Sequence, residues 1–205
     1  MSENGLKEPQ ARWPRAALYK EYQLDLSRSA FGLVDVQYDF TPGGALAVTR
    51  GDEVVAPLNS LMKNYPWAFV FASQDWHPED HCSFKDRGGL WPHHCVRGTQ
   101  GANLRDELDQ CFISLIVRKA TQPDRDAYSA FDSTGLDALL RALGINTVFL
   151  GGLATDYCVK ATALDAKKAE FNVVVALEAC RAVNVNPDDE AKAVAEMRAA
   201  GIVCL

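Results

Sequence analysis

Residues 151–158, Gly-Gly-Leu-Ala-Thr-Asp-Tyr-Cys, lead from an apolar segment through small side chains into an amphipathic stretch. That pattern sets Cys158 in the first turn of a helix. Free backbone N–H groups and the positive end of the helix dipole favour a thiolate there, and the same N–H groups can receive an oxyanion formed on an attacked carbonyl. Thr155 or Asp156 is placed to cap the turn. Asp35 interrupts the apolar run 31–36, and a carboxylate buried in such a strand is costly without a partner. Lys119, directly after the run 112–117, is the natural cation. A carboxylate and an ammonium beside the thiol can take its proton and pass it to a leaving amine. Taken singly, the two charges also suit a plain structural ion pair. The cysteine also suits a packed core position, as expected of the other five, which form no Cys-x-x-Cys pair.

A second chemistry sits in the loop 75–101, which holds all four histidines of the chain, His77, His81, His93 and His94. Asp75-x-His77-x-x-x-His81 offers one carboxylate and two imidazoles. In an extended strand end Asp75 and His77 point to one side, and a turn at Pro78 brings His81 back toward them. His93 or His94 completes the set, and spacing alone does not choose between them. Carboxylate plus imidazole suits zinc, iron(II) or manganese(II), not a thiolate structural site. Two histidines and a carboxylate also describe the facial triad of iron(II) oxygenases, but that reading leaves Cys158, Lys119 and Asp35 without a task. A loop this long in a compact domain is usually functional, and Trp76, Trp91 and its prolines argue that it is ordered.

The elements that must position these groups alternate between two rhythms. Short runs apolar on both faces (31–36, 67–73, 112–117, 147–150, 173–177 and 202–205) predict strands. Amphipathic stretches (52–65, with Asp52 as N-cap, 136–143, 155–169 and 187–200) predict helices. Doubly apolar strands alternating with helices mean a buried parallel sheet. The fold expected is α/β, three-layer α/β/α, with a central, mostly parallel sheet of about six strands. Right-handed crossovers then gather the strand C-termini at one edge, where open α/β sheets bind ligands. Asp35, Asp75, Lys119 and the turn before Cys158 all follow predicted strand ends.

Residues 1–30 differ in composition, with Pro9, Pro14 and many charges, and read as an extension before a single domain, 31–205. The chain has 205 residues, 48% hydrophobic and 23% charged, with a net charge of −6. Those values exclude disordered and collagenous classes. No apolar run approaches the roughly 20 residues of a membrane span, and the N-terminus has no secretory pattern. An acidic total without a basic stripe argues against nucleic acid. The expectation is a cytoplasmic protein acting on a small molecule, free to self-associate as a homo-oligomer.

Leu33-Val34-Asp35-Val36-Gln37-Tyr38-Asp39-Phe40, Gly43-Gly44-Ala45-Leu46, Gln74-Asp75-Trp76-His77-Pro78 through His81, Trp91-Pro92-His93-His94-Cys95 and Gly152-Leu153-Ala154-Thr155-Asp156-Tyr157-Cys158-Val159 together resemble the nicotinamidases, a branch of the isochorismatase-like cysteine hydrolases. The resemblance runs from Phe31 to the C-terminus. It implies hydrolysis of nicotinamide, and of pyrazinamide, to the acid and ammonia in NAD salvage. The rival within the same superfamily is an amidase for another small amide or carbamoyl compound. By position, Cys158 would be the nucleophile, Asp35 the general base and Lys119 the third catalytic residue. Asp75, His77, His81 and His94 would hold one divalent ion, Zn2+ ahead of Fe2+ or Mn2+, with His94 preferred because it precedes Cys95. The N–H groups of Ala154 and Cys158 would form the oxyanion hole, after a cis peptide before Ala154. Phe40, Trp91 and Tyr128 would wall the substrate pocket. Tyr38 and Cys82 depart from the family pattern near that pocket.

Overall fold

The computed structural model describes residues 24–205, so residues 1–23 of the expected extension lie outside the described residues. Six strands form one sheet: β1 Ser29–Val34, β2 Phe69–Asp75, β3 Leu115–Lys119, β4 Thr147–Leu153, β5 Asn172–Arg181 and β6 Val203–Cys204. Their order is β3-β2-β1-β4-β5-β6, and every pairing is parallel. The α-helices are α1 Val55–Asn64, α2 Leu136–Ala142, α3 Lys160–Lys168 and α4 Asp189–Ala199. Side chains of the central strands alternate between two cores, as a period of two requires. Phe31, Leu33 and Phe149 pack with Leu58 and Leu61 of α1, whereas Ala30, Val34, Val148 and Leu150 pack with Leu140 of α2, Ala163 of α3 and Met197 of α4. The result is three layers, one helix on one face and three on the other. No helix among the described residues is long and apolar enough to cross a membrane.

Several expected boundaries shift for physical reasons. β1 begins at Ser29, and Leu24 and Leu26 are buried in the core, so residues 24–30 pack with the domain and not as an extension. In the stretch 52–65, Gly51–Val54 form a 3-10 turn and the α-helix starts at Val55. Pro57 is tolerated in that first turn, where a missing N–H breaks no helical bond. Asp52 is therefore inside the turn and does not cap the helix. β3 starts at Leu115, because residues 110–112 form a 3-10 turn and Ser114 N–H donates to the Val70 carbonyl. Lys119 is thus the last residue of β3 and not the first beyond it. As an edge strand, β3 alternates, leaving Ile116 outside and Val117 inside.

β4 runs through Gly151 and Gly152 to Leu153, with a register irregularity against β5. Gly152 has φ +126, and a Cβ there would lie 2.2 Å from the Val34 carbonyl oxygen. Only glycine lets the β4 backbone pass β1 this closely on its way to the Cys158 turn. Gly152→Ala is expected to destabilise the fold by at least about 2 kcal/mol, read as a lower midpoint in denaturant unfolding.

Candidate active site

The strand order reverses between β1 and β4, and the candidate groups collect at the strand C-termini on both sides of that switch. Asp35 follows β1 with φ +47, a conformation aspartate tolerates better than most residues. Its Oδ1 accepts the Ser73 hydroxyl at 2.6 Å and its Oδ2 faces Lys119 Nζ at 3.0 Å. The β2–β3 register sets Asp75 beside Lys119. There Nζ donates to Asp75 Oδ1 at 2.5 Å and to the Ala127 carbonyl at 3.2 Å, and reaches Cys158 Sγ at 3.4 Å. The Asp75 backbone is held in turn by Gln37. Its Nε2 donates to the Asp75 carbonyl and its Oε1 accepts the Asp75 N–H, both at 2.8 Å. All of these side chains are buried.

Burial sets the protonation states. It pushes the Cys158 thiol far above its ordinary value, an effect Lys119 opposes and the Asp35 and Asp75 charges reinforce. Burial and the two carboxylates thus act against the thiolate that the helix terminus favours. The expected cap does not form. Residues Thr155–Val159 form a π-helical turn with Ala154 at the cap position and no side-chain cap bond. The Asp156 carboxylate instead accepts the N–H groups of Val183 and Asn184, at 2.9 and 2.8 Å, and the Thr155 hydroxyl faces Glu190. Burial also raises the Asp35 carboxyl, against the pull of Lys119 and with help from Asp75. For Asp75 burial pushes upward, but Lys119 and His77 outweigh it and hold the carboxyl well below the usual range. Burial would lower Lys119, yet Asp35, Asp75 and Cys158 keep it well above the ordinary lysine value, a firm ammonium.

In the long loop the His77 N–H donates to the Cys95 carbonyl at 3.0 Å and the Arg97 N–H to the His77 carbonyl at 2.8 Å, a short parallel bridge. Donor atoms of Asp75, His77 and His94 lie within 4.8 Å of one another, all buried. Both ring nitrogens of His77 are buried without a hydrogen-bond partner, and Nε2 stands 3.6 Å from Asp75 Oδ2. A buried imidazole with no partner is costly, and one carboxylate with two imidazoles is a donor set for a divalent ion. His94 Nδ1 faces the Pro92 carbonyl at 2.8 Å, leaving Nε2 for such an ion. His93 is exposed and pairs with Asp86 at 2.9 Å, outside the cluster that contains His94. The His81 ring lies 4.1 Å from that of His77, tilted by 35°, but Ser83 Oγ engages its Nδ1 at 2.7 Å and the Arg125 carbonyl its Nε2 at 3.2 Å. The expected fourth ligand thus stands beside the cluster and not in it.

Cys158, Asp75, His77 and His94 open on one cleft, also lined by Phe40, Trp91, Tyr128, Ala154 and Tyr157. Trp91 Nε1–H donates to the Tyr128 hydroxyl at 3.1 Å. The peptide between Leu153 and Ala154 is cis. Tyr157, absent from the residues singled out by sequence, stands edge-on to Trp91 at 5.3 Å and near Tyr128 at 5.8 Å. Its one signal was an aromatic side chain next to the cysteine. Tyr38 and Cys82 do not line the cleft; Tyr38 lies under the Arg105 guanidinium.

The isochorismatase domain model matches residues 29–205. The chain belongs to the isochorismatase family. Among the family's curated members, nicotinamidase of Escherichia coli (strain K12) is 42% identical over 195 residues, covering 82% of this chain and 90% of that protein. Two solved structures are similar. PnC1 from L. infantum in complex with nicotinate has a TM-score of 0.85 and 39% identity, covering 89% of this chain and 94% of that one. Pyrazinamidase of Pyrococcus horikoshii in complex with zinc has a TM-score of 0.78 and 42% identity, covering 87% and 98%.

Within this isochorismatase-family chain, Lys119 is the only positive charge placed among Asp35, Asp75 and Cys158 in the described residues. Lys119→Met would leave two buried carboxylates without a counter-charge. The expected loss is about 3–5 kcal/mol in chemical unfolding.

Proposed function

We propose that this protein is a metal-dependent cysteine amidohydrolase that converts nicotinamide to nicotinate and ammonia, with pyrazinamide as a second substrate, in NAD salvage. The observation that carries the reading is one cleft shared by a buried thiol, 3.4 Å from an ammonium, and a buried imidazole with neither nitrogen partnered. The names and bound groups of the relatives support the substrate. The zinc held by the Pyrococcus protein supports Zn2+ as the ion. The catalytic unit is the single domain that runs to the C-terminus, and a cytoplasmic setting belongs to the same reading.

Asp75, His77 and His94 would hold the ion. With Nδ1 kept by Ser83, His81 can join only by giving up the Arg125 carbonyl. A divalent ion there supplies a Lewis acid that can anchor a pyridine nitrogen. Phe40, Trp91 and Tyr128 flank the ring, and Tyr157 closes the aromatic wall. Fixing the amide carbon over Sγ replaces a bimolecular encounter, an advantage of up to about 7–11 kcal/mol. Asp35, whose carboxylate lies within 4.8 Å of Sγ, accepts the thiol proton as sulfur attacks. The N–H groups of Ala154 and Cys158 receive the oxyanion. Asp35 passes that proton to the amide nitrogen as its bond to carbon breaks, so that ammonia departs and a thioester remains. Water, deprotonated by the same carboxylate, then releases the acid and restores the thiol. Lys119 keeps Asp35 ionised in an interior that would otherwise protonate it.

Purified protein is expected to release ammonia from nicotinamide. Cys158→Ala should abolish turnover while elemental analysis still finds the metal, and turnover by that variant would refute the nucleophile. Ammonia from other small amides but not from nicotinamide would move the assignment to a different branch of the family. His77→Ala should lose both metal and activity. Because Asp35 must be ionised to accept the proton, and its carboxyl is raised from 3.8, kcat/KM should fall on the acid side along a limb above that value. A limb at or below it, measured with excess zinc, would remove Asp35 from the role of base.

A further inference from the structure

Asp39 stands four residues beyond Asp35 and lines no part of the cleft. Its carboxylate nevertheless ties two distant segments together. Oδ2 accepts the Cys95 N–H at 2.7 Å, and Oδ1 accepts the Ala45 N–H at 3.2 Å. The Asp39 carbonyl accepts the Leu46 N–H at 3.0 Å. Gly101 passes so near that a Cβ there would sit 2.1 Å from Oδ2. The return of the histidine loop is therefore shaped around this one carboxylate.

Cys95 is the residue that needs such a hold. It has φ +47, a backbone state that a residue other than glycine keeps only when its surroundings impose it. Its side chain is wholly buried, and its carbonyl accepts the His77 N–H at 3.0 Å. His94 precedes it directly. Cys95 is thus the joint between two of the three clustered donors, with one neighbour in sequence and the other across a hydrogen bond. A charge-assisted bond to its N–H is the strongest restraint on that joint.

We infer that Asp39 is a positioning residue for the metal centre, fixing the Cys95 peptide and through it the placement of His94 relative to His77. The inference rests on the metal reading above. Removing groups that orient metal ligands typically weakens metal binding by about 10–100-fold. Asp39→Ala removes both acceptors. Asp39→Asn keeps the shape but leaves one carbonyl oxygen for two N–H donors.

The test is zinc affinity of the full chain, measured by competition with a chromophoric chelator, beside thermal unfolding of the same proteins without metal. Both variants are expected to fold without metal and to bind zinc about 10–100-fold more weakly than the unaltered protein. Zinc affinity within about twofold of the unaltered protein, in whichever variant folds, would overturn the inference. An Asp39→Asn chain that does not fold would overturn it as well, because the role would then be structural. If the unaltered protein takes up no zinc, the metal reading itself fails, a result distinct from either outcome for the variants.

Discussion

One buried ammonium governs the arrangement. Lys119 lies at the centre of Asp35, Asp75 and the Cys158 sulfur, with no water-facing surface to dilute its charge. Two carboxylates that close in a protein interior cannot both stay ionised without it. Because the lysine is shared, the carboxylate proposed as base and the carboxylate proposed to hold the ion are electrostatically one unit. Burial raises the Asp35 carboxyl, whereas Lys119 and His77 together hold Asp75 low. Two carboxyls pushed in opposite directions by their surroundings suit acid–base work.

Parallel topology explains how three residues from distant parts of the chain reach that ammonium. Every strand in the sheet ends at the same edge, and the order 3-2-1-4 brings the ends of β3, β2, β1 and β4 into consecutive positions there. No long-range loop has to deliver any of these charged groups or the thiol. The one long loop has a separate task. It leaves β2 at Asp75, is clamped back at Cys95, and so returns His94 to the residue where it began.

Much of this was legible in the residue pattern. Doubly apolar runs identified every strand, and the polar residues at their ends identified Asp35, Asp75, Lys119 and Cys158 as neighbours. What failed depended on partners far away in the chain. Thr155 and Asp156 have the chemistry of caps, but loop 183–184 and Glu190 claim their side chains. The helix terminus at Cys158 favours a thiolate locally, yet burial and two carboxylates oppose it. His81 has ligand spacing and lies beside the cluster, its Nε2 facing the Arg125 carbonyl, a partner 44 residues away that spacing does not show. The start of β3 was misplaced because an edge strand alternates, and an apolar Phe112 beside it blurred the boundary.

The placement of Lys119 on β3 has a further consequence. β3 is the rim of the sheet, hydrogen-bonded to β2 alone, and such a strand is ordinarily the first to fray. Here its last residue cannot peel away without stranding two anions inside the protein. The buried charge cluster is therefore also the rivet at the sheet's margin, and the amides at the end of β3 inherit a resistance to solvent exchange that the strand's own hydrogen bonds would not confer.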